Sequence, residues 1–146
     1  MEVISENRQA RHDYFLEDFF ECGLVLKGTE IKSVRDHKVN LKDSYVLIRN
    51  GEAFLLNAHI SIYKEGNIFN HEESRTRKLL LHKKEILKLK SKVEEKGYTL
   101  VPTKMYLLNG KAKLEVALAK GKHTFDKRQT EKERDLKREI AKSMKY

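Results

Sequence analysis

The 146-residue chain has one cysteine, one proline and no tryptophan. Cys22 therefore cannot form an intramolecular disulfide, and the sequence has no Asn-x-Ser/Thr glycosylation site. Both features are typical of a protein in a reducing compartment. No apolar run approaches the roughly 18 residues of a membrane-spanning helix, and residues 1–10 lack the apolar segment of a secretory signal. We expect a cytoplasmic protein that does not contact a membrane.

Motifs for catalysis and metal binding are also missing. The six histidines and the lone cysteine show no C-x-x-C or H-x-x-x-H spacing, so no metal site is predicted. The segment from Gly23 to Thr29 has two glycines at phosphate-loop spacing but lacks the lysine that must follow. No G-x-S-x-G motif is present. We expect no enzyme and no cofactor; a ribonuclease centre built on two histidines is the alternative left open.

What the chain has in excess is positive charge. It carries 31 Lys and Arg against 22 Asp and Glu, a net charge of +9, with 36% charged and 39% hydrophobic residues. Lys and Arg neutralise phosphates and release counterions, so nucleic acid is the favoured partner. A surface of interleaved Lys and Glu, as thermophiles use, would explain the density of charge but not the excess of one sign. The length allows one compact domain and a tail.

Residues 121–146 differ in composition from the rest. They hold nine Lys and Arg against five Asp and Glu, with too few apolar residues for a core. Leu136, Ile140 and Met144 recur every four residues, so a helix over Glu131–Lys145 would carry one narrow apolar stripe and be marginal in water. We predict a folded body over 1–120 and a basic tail over 121–146, disordered when free and helical when bound. A solubilising tail and a membrane-surface helix are the alternatives.

Two Asn-Gly dipeptides predict β-hairpins, because both residues of a type I′ turn need a positive φ. The predicted pairs are Ser44–Arg49 with Glu52–Asn57, and Thr99–Leu108 with Lys111–Ala119. In the last of these strands Ala112, Leu114, Val116 and Leu118 alternate with Lys111, Lys113 and Glu115. This strand should have one buried and one outward face.

The other predicted elements complete a small barrel. They are a long strand over Tyr14–Leu26, in which Gly23 marks a bulge or a close backbone approach, a helix over Gly28–His37, a mobile loop over Lys64–Arg77, a strand over Leu79–Leu81 and a helix over Lys83–Lys96 before Gly97. We predict a mainly β (α+β) fold: a small closed antiparallel barrel of the oligonucleotide-binding type with two to three flanking helices.

Basic and aromatic residues cluster just before the long strand. Residues 7–14 contain two Arg, one His and one Tyr, a mixture that can contact phosphates and stack on bases. A frayed terminus with Tyr14 in the core is equally compatible with the composition. A second basic run covers Arg75–Lys78, although isolated charge runs usually form solvated faces.

Seven blocks along the chain together resemble the SmpB family. They are residues 7–15 (NRQARHDYF), 21–35 (ECGLVLKGTEIKSVR), 43–46 (DSYV), 75–81 (RTRKLLL), 97–102 (GYTLVP), 117–122 (ALAKGK) and 126–128 (DKR). The resemblance implies a non-enzymatic bacterial protein of trans-translation with an oligonucleotide-binding barrel. Such a protein binds the elbow and D-loop of the tRNA-like domain of tmRNA and delivers tmRNA to stalled ribosomes.

The resemblance also implies roles for the tail and for further partners. The tail would enter the empty mRNA channel, become helical there and contact rRNA of the small ribosomal subunit at the decoding centre. The protein would act as a monomer and travel with alanyl-tmRNA and elongation factor Tu. The alternative is an rRNA-binding ribosomal or ribosome-assembly protein whose tail threads permanently into RNA.

Individual residues follow from the matching blocks. The tmRNA contacts implied are Asn7, Arg11, His12, Tyr14, Glu21, Gly23, Lys27, Arg35, Arg75, Arg77, Lys78 and Leu81. Asn7 and Glu21 would bond base edges, and Glu21, which phosphate repels, is useful only if it accepts from a base amino group or orders an arginine. The tail contacts implied are Lys120, Lys122, Phe125, Asp126, Lys127, Arg128, Ile140 and Met144. Phe125 stands where the family commonly has His; it can stack but not ionise, and His123 could substitute.

Overall fold

A computed structural model describes residues 1–122 of the chain, apart from the side chains of 67–69. The strands are β1 (Glu2–Glu6), β2 (Tyr14–Leu24), β3 (Val39–Asn40), β4 (Tyr45–Arg49), β5 (Glu52–Leu56), β6 (His59–Ile60), β7 (Arg77–Leu80), β8 (Thr99–Leu108) and β9 (Lys111–Gly121). The α-helices are α1 (Arg8–Asp13), α2 (Gly28–Arg35) and α3 (Lys83–Lys96), and a 3₁₀ helix covers Lys64–Phe69.

Six of these strands close into an antiparallel ring. The order is β8–β4–β5–β7–β2–β9, and pairing of β9 with β8 closes it. The other edge of β8 pairs with β4 at Leu100 and with β1 from Lys104 to Leu107. The predicted mainly β barrel with flanking helices is therefore confirmed.

The core fills this ring and receives one face of two helices. In β9, Leu114, Val116 and Leu118 are fully buried, as the predicted alternation requires. Val34 from α2 and Leu89 from α3 are fully buried in the same cluster. The helices are thus fixed by apolar packing against the ring.

The strongest local signals of the sequence are confirmed. Asn50 and Gly51 have φ of 52° and 75°, and Asn109 and Gly110 have φ of 52° and 78°, as type I′ hairpin turns require. Helix α3 ends where Gly97 adopts a φ of 71°. Helix α2 begins at Gly28 as predicted and ends at Arg35 rather than His37.

Three parts of the fold differ from the prediction. The polar N-terminus forms β1 and α1, because β1 finds a partner in the free edge of β8. The bulge of β2 lies between Glu17 and Phe20, where Asp18 has a φ of 53°. The predicted mobile loop over Lys64–Arg77 begins with the 3₁₀ helix, and hydrogen bonds join it to residues outside the segment.

Two side chains hold this predicted loop. Asn70 bonds both the N–H and the carbonyl oxygen of Tyr63. His71 is buried, donates from Nε2 to the carbonyl oxygen of Ile60 at 2.8 Å, and accepts at Nδ1 from the Thr29 hydroxyl at 2.9 Å. Polarity alone could not reveal these tertiary partners.

The tail predictions lie outside the described residues. This holds for Phe125, Asp126, Lys127, Arg128, Ile140 and Met144 and for the predicted helix over Glu131–Lys145. Within residues 1–122, no helix is long and apolar enough to cross a membrane.

Candidate nucleic-acid interface

The outer face of β2 is open at Gly23. Cys22 and Leu24 pack into the core, so Gly23 lies on the outer face between Leu80 of β7 and Lys113 of β9. A Cβ atom at Gly23 would lie 3.3 Å from the Cβ of Leu80, so the predicted close approach is confirmed. The side chain of Leu80, which is 53% exposed, lies beside the position that a Gly23 side chain would occupy.

Glu21 lies on the same outer face, next to Gly23 on β2. Its Oε1 accepts a hydrogen bond from the hydroxyl of Tyr106, a residue only 4% exposed. Burial raises the pKa of Tyr106 and the bond to Glu21 raises it further, so the hydroxyl keeps its proton and donates. The Glu21 side chain is exposed, and within residues 1–122 its Oε2 has no donor.

The nearest neighbour of Glu21 on β9 is a second carboxylate. Glu115 stands directly opposite Glu21 in the strand register. The Thr103 hydroxyl donates to Glu115 Oε2 at 2.7 Å, and Lys104 Nζ lies 4.0 Å from Oε1. Lys104 Nζ also lies 5.7 Å from the centroid of the Tyr106 ring. Glu21, Thr103, Lys104, Tyr106 and Glu115 form what we term the outer carboxylate cluster.

Helix α1 lies on this outer face, farther along the same strands. Ala10 packs on Val101 and Ala119, and Ala119 is four residues from Glu115, about 13 Å along β9. Arg11 and His12 are exposed on α1, and His12 Nδ1 lies 2.9 Å from the Asp13 carboxylate. Tyr14, the first residue of β2, is partly buried against the small cluster of Ala10, Val101 and Ala119.

Asn7 is an internal residue, contrary to its predicted role at a base edge. It caps α1: Oδ1 accepts from the Ala10 N–H at 3.2 Å, and Nδ2 donates to the carbonyl oxygen of Pro102 at 2.8 Å. Its exposed fraction is 4%. With both ends of the amide occupied, Asn7 positions α1 and does not present its side chain to a base.

A buried ion cluster lies behind the Arg75–Lys78 run; we term Glu30, Arg75 and Arg77 the inner ion cluster. Glu30 Oε2 lies 2.7 Å from Arg77 Nε, and Oε1 lies 2.5 Å from an Arg75 Nη atom and accepts from the Lys27 N–H. Glu30 and Arg77 are fully buried, while the side chain of Arg75 is 26% exposed.

Arg77 is predicted as a tmRNA contact, but this fold places its side chain in the interior. Its guanidinium is fully buried and donates to Glu30 and to the carbonyl oxygens of Ala58 and Glu73, so RNA cannot reach it in this fold. Burial by itself would raise the pKa of Glu30, but the hydrogen bonds from Arg75, Lys27 and Arg77 outweigh burial and lower it. The cluster is ionised and structural.

The other predicted contacts are accessible to different degrees. Lys27 and Arg35 are exposed at the two ends of α2, and Lys78 is exposed in an ion pair with Glu52 at 2.8 Å. Leu81 is half-buried against the core, whereas Leu80 is the exposed leucine. The sequence interpretation missed Leu80, Lys104 and Tyr106 as site residues. It placed Lys113 on an outward face without assigning it to the site.

The start of the predicted tail lies beside α1. Lys122 donates to the carbonyl oxygen of Arg11, and its Nζ lies 5.2 Å from the centroid of the Phe15 ring. Lys120 Nζ lies 5.3 Å from the centroid of the Tyr98 ring. Lys120 and Lys122, both predicted as ribosome contacts, thus lie over aromatic rings of the folded body.

The described residues offer little for catalysis. In residues 1–122 no three His, Cys, Asp or Glu side chains come together as a metal site. Burial raises the pKa of the Cys22 thiol to about 12, which leaves it unreactive. What the surface can do is pair phosphates, stack on bases and accept hydrogen bonds from base N–H groups.

A small barrel that carries cations and an ordered carboxylate on one face is typical of an RNA-binding protein. The family model described as SmpB protein matches residues 4–146, and the chain belongs to that family. It is 57% identical to the SsrA-binding protein of Shouchella clausii, over 98% of this chain and 92% of the relative. It is 56% identical to that of Halalkalibacterium halodurans, over 98% and 93% of the two chains.

A solved structure agrees with the sequence relatives. A chain from "tmRNA-SmpB: a journey to the center of the bacterial ribosome" matches with a TM-score of 0.70 and 47% identity. The match covers 84% of this chain and 85% of that one.

Proposed function

We propose that this chain binds tmRNA (SsrA RNA) through its tRNA-like domain and delivers it to stalled ribosomes for trans-translation. The observation that carries the proposal is the similarity to SsrA-binding proteins, 57% identity over 98% of this chain in one relative, which includes both the body and the tail. The protein is an RNA-binding protein without a catalytic step of its own. Its place of action is the cytoplasm, where ribosomes and tmRNA meet.

The outer face of β2, β8 and β9 is the proposed tmRNA surface. Arg11 and His12 at one end and Lys113 toward the other supply cations or stacking groups, and Glu21 and Gly23 lie near Lys113. Cations hold the RNA in register through its phosphates, while a carboxylate adds selectivity because it accepts hydrogen bonds from base N–H and ribose hydroxyl groups but not from base carbonyl oxygens or ring nitrogen acceptors. Arg75, Lys27 and Lys78 extend this surface past Leu80.

The tail has a separate role in this proposal. Lys120, Lys122, Lys127 and Arg128 contact small-subunit rRNA at the decoding centre, and Ile140 and Met144 supply apolar contacts in the mRNA channel. Phe125 stacks where a histidine is usual in the family, so that stacking does not depend on an ionised ring. The body would then choose the RNA, and the tail would report an empty channel.

A competition gel shift tests the proposal. The full chain is titrated at about 150 mM salt, which suppresses loose electrostatic binding, against tmRNA with elongator tRNA or bulk rRNA as competitor. We expect a preference for tmRNA that survives Lys127→Ala with Arg128→Ala, because those residues belong to the tail. The same tail variant should bind stalled ribosomes less well.

Other outcomes identify the alternatives. A preference for rRNA, or indifference to the RNA, would contradict the proposal and support a ribosomal or assembly protein. The RNA recovered after incubation should run at full length on a denaturing gel. Shortened RNA would point to the ribonuclease alternative.

A further inference from the structure

Two carboxylates lie opposite each other on the outer surface, one on β2 and one on β9. Glu21 and Glu115 are cross-strand neighbours, and directly opposed like charges destabilise a sheet. Such a violation of local pairing is expected where a side chain serves a function. The fold must therefore supply groups that stabilise the two negative charges and fix both side chains.

Each carboxylate has its own donors. Glu115 takes the Thr103 hydroxyl at 2.7 Å and has Lys104 Nζ at 4.0 Å. Among residues 1–122, the one donor to Glu21 is the Tyr106 hydroxyl, and the Tyr106 ring is fixed because the residue is 4% exposed. The buried ring fixes one oxygen of an exposed carboxylate, and the other oxygen stays open to solvent.

We propose that Tyr106 is a positioning residue for tmRNA recognition: its hydroxyl holds Glu21 Oε1 so that Oε2 accepts a hydrogen bond from an amino or imino N–H of a tmRNA base. The inference rests on the proposed function, because it names how one residue of that surface is aimed. A carboxylate already fixed in its bound geometry loses less freedom when RNA arrives. A fixed carboxylate also discriminates better between bases, because the hydrogen bond to a base N–H group requires one direction of approach.

The chain supplies a matched control for this bond. Tyr98 donates its hydroxyl to Glu17 Oε1, so β2 carries two tyrosine–glutamate pairs. Glu17 stands opposite the core residue Leu118, whereas Glu21 stands opposite Glu115, so the two pairs lie on opposite faces of β2. Tyr98→Phe removes the same kind of bond as Tyr106→Phe and keeps the ring, but away from the proposed surface.

The test is a double-mutant cycle on the full chain with tmRNA. We expect Tyr106→Phe to weaken binding about threefold to tenfold, the effect of one ordering hydrogen bond. Glu21→Gln should weaken it at least as much. Tyr106→Phe added to Glu21→Gln should cost nothing further, because the positioned group is already gone. Tyr98→Phe should bind as the parent does.

Two readouts separate positioning from a general loss of structure. Binding of Tyr106→Phe to bulk rRNA, and the salt dependence of its tmRNA binding, should match the parent, because no phosphate contact is lost. Glu21→Asp keeps the charge but shortens the reach to Tyr106, so it should bind as weakly as Glu21→Gln. This second variant tests the geometry even if Tyr106→Phe lowers stability.

The outcomes are distinct for the inference and for the function beneath it. If the parent prefers tmRNA while Tyr106→Phe and Glu21→Asp bind equally well, the positioning role is refuted and the proposed function stands. Additive losses in the cycle would also refute it, since Tyr106 would then act independently of Glu21. If the parent shows no preference for tmRNA, the proposed function itself fails.

Discussion

Glu30 in the inner ion cluster and Glu21 in the outer carboxylate cluster are held in opposite ways. Glu30 is fully buried, and both of its oxygens accept hydrogen bonds from protein groups. Glu21 is exposed and uses one oxygen within the described residues. A structural carboxylate therefore differs from one available to RNA not in charge but in whether both of its oxygens already accept hydrogen bonds from the protein. Changes in the inner cluster should move stability, and changes in the outer cluster should move binding.

Arg77→Met should have the largest effect on stability. It leaves the buried Glu30 with one fewer cation, and it leaves the carbonyl oxygens of Ala58 and Glu73 without the donor that Arg77 supplies. We therefore expect a loss of about 3–5 kcal/mol in the free energy of unfolding. Urea denaturation followed by circular dichroism measures it. The neighbouring exposed pair is the control: Lys78→Ala should cost under about 1 kcal/mol. A loss that small for Arg77→Met would contradict the structural role of the cluster.

Acid should weaken the inner cluster. The pKa of Glu30 lies below its usual 4.5, because the hydrogen bonds from Arg75, Lys27 and Arg77 outweigh the effect of burial. A lowered carboxyl pKa contributes stability that is fully present above the unfolded-state pKa and disappears as pH falls through the folded-state value. The free energy of unfolding of the parent, measured with urea, should therefore fall as the pH drops below about 4.5. In Glu30→Gln this part of the pH dependence should be absent; an unchanged profile would show that Glu30 does not titrate this way.

Asn7→Ala should cost about 1–2 kcal/mol. The change removes the α1 cap and the bond to Pro102, both of which are buried. Arg8→Ala, at an exposed position of the same helix, should change stability by less than about 0.5 kcal/mol. Thermal unfolding measures both variants. If Asn7→Ala is as stable as Arg8→Ala while tmRNA binding collapses, Asn7 touches RNA directly after all.

Gly23→Ala should have the smallest effect on stability and a clear one on binding. The new Cβ would lie 3.3 Å from the Cβ of Leu80, so β2 and β7 must shift by a few tenths of an ångström, at a cost of about 1 kcal/mol. We expect tmRNA affinity to fall about threefold to tenfold because this shift and the added methyl group alter the surface beside Glu21. Gly28→Ala is the matched control, since a Cβ there meets nothing within 4 Å. Equal tmRNA affinity for both variants would show that RNA does not approach Gly23.

Features set by local chemistry were predictable from the sequence. The two Asn-Gly turns, helix α3 and the alternation of β9 depend on a few adjacent residues. Strand β1 was missed because it forms only against the free edge of β8. The loop prediction over Lys64–Arg77 missed the 3₁₀ helix and the hydrogen bonds of Asn70 and His71, because the partners of these two side chains lie outside the segment.

The site was predictable as a set of segments but not as a set of accessible side chains. Arg75, Arg77 and Lys78 look alike in a charge run, yet one is buried, one is exposed and one lies between. Arg77 lies on the inward face of β7, two residues before the buried Leu79. Three consecutive leucines do not show which positions face outward, so the prediction named Leu81, whereas Leu80 is the exposed residue. Tyr106 could not be found, because its partner Glu21 is remote in sequence.

The most direct test compares two isosteric changes, Glu21→Gln and Glu30→Gln, in the full chain. For each variant we would measure the free energy of unfolding and the competition affinity for tmRNA over bulk rRNA. We predict that Glu21→Gln keeps parental stability and loses tmRNA preference, and that Glu30→Gln loses several kcal/mol of stability, on the order of a broken buried ion pair. Parental tmRNA preference in a folded Glu21→Gln variant would contradict the assignment of the outer face as the RNA surface.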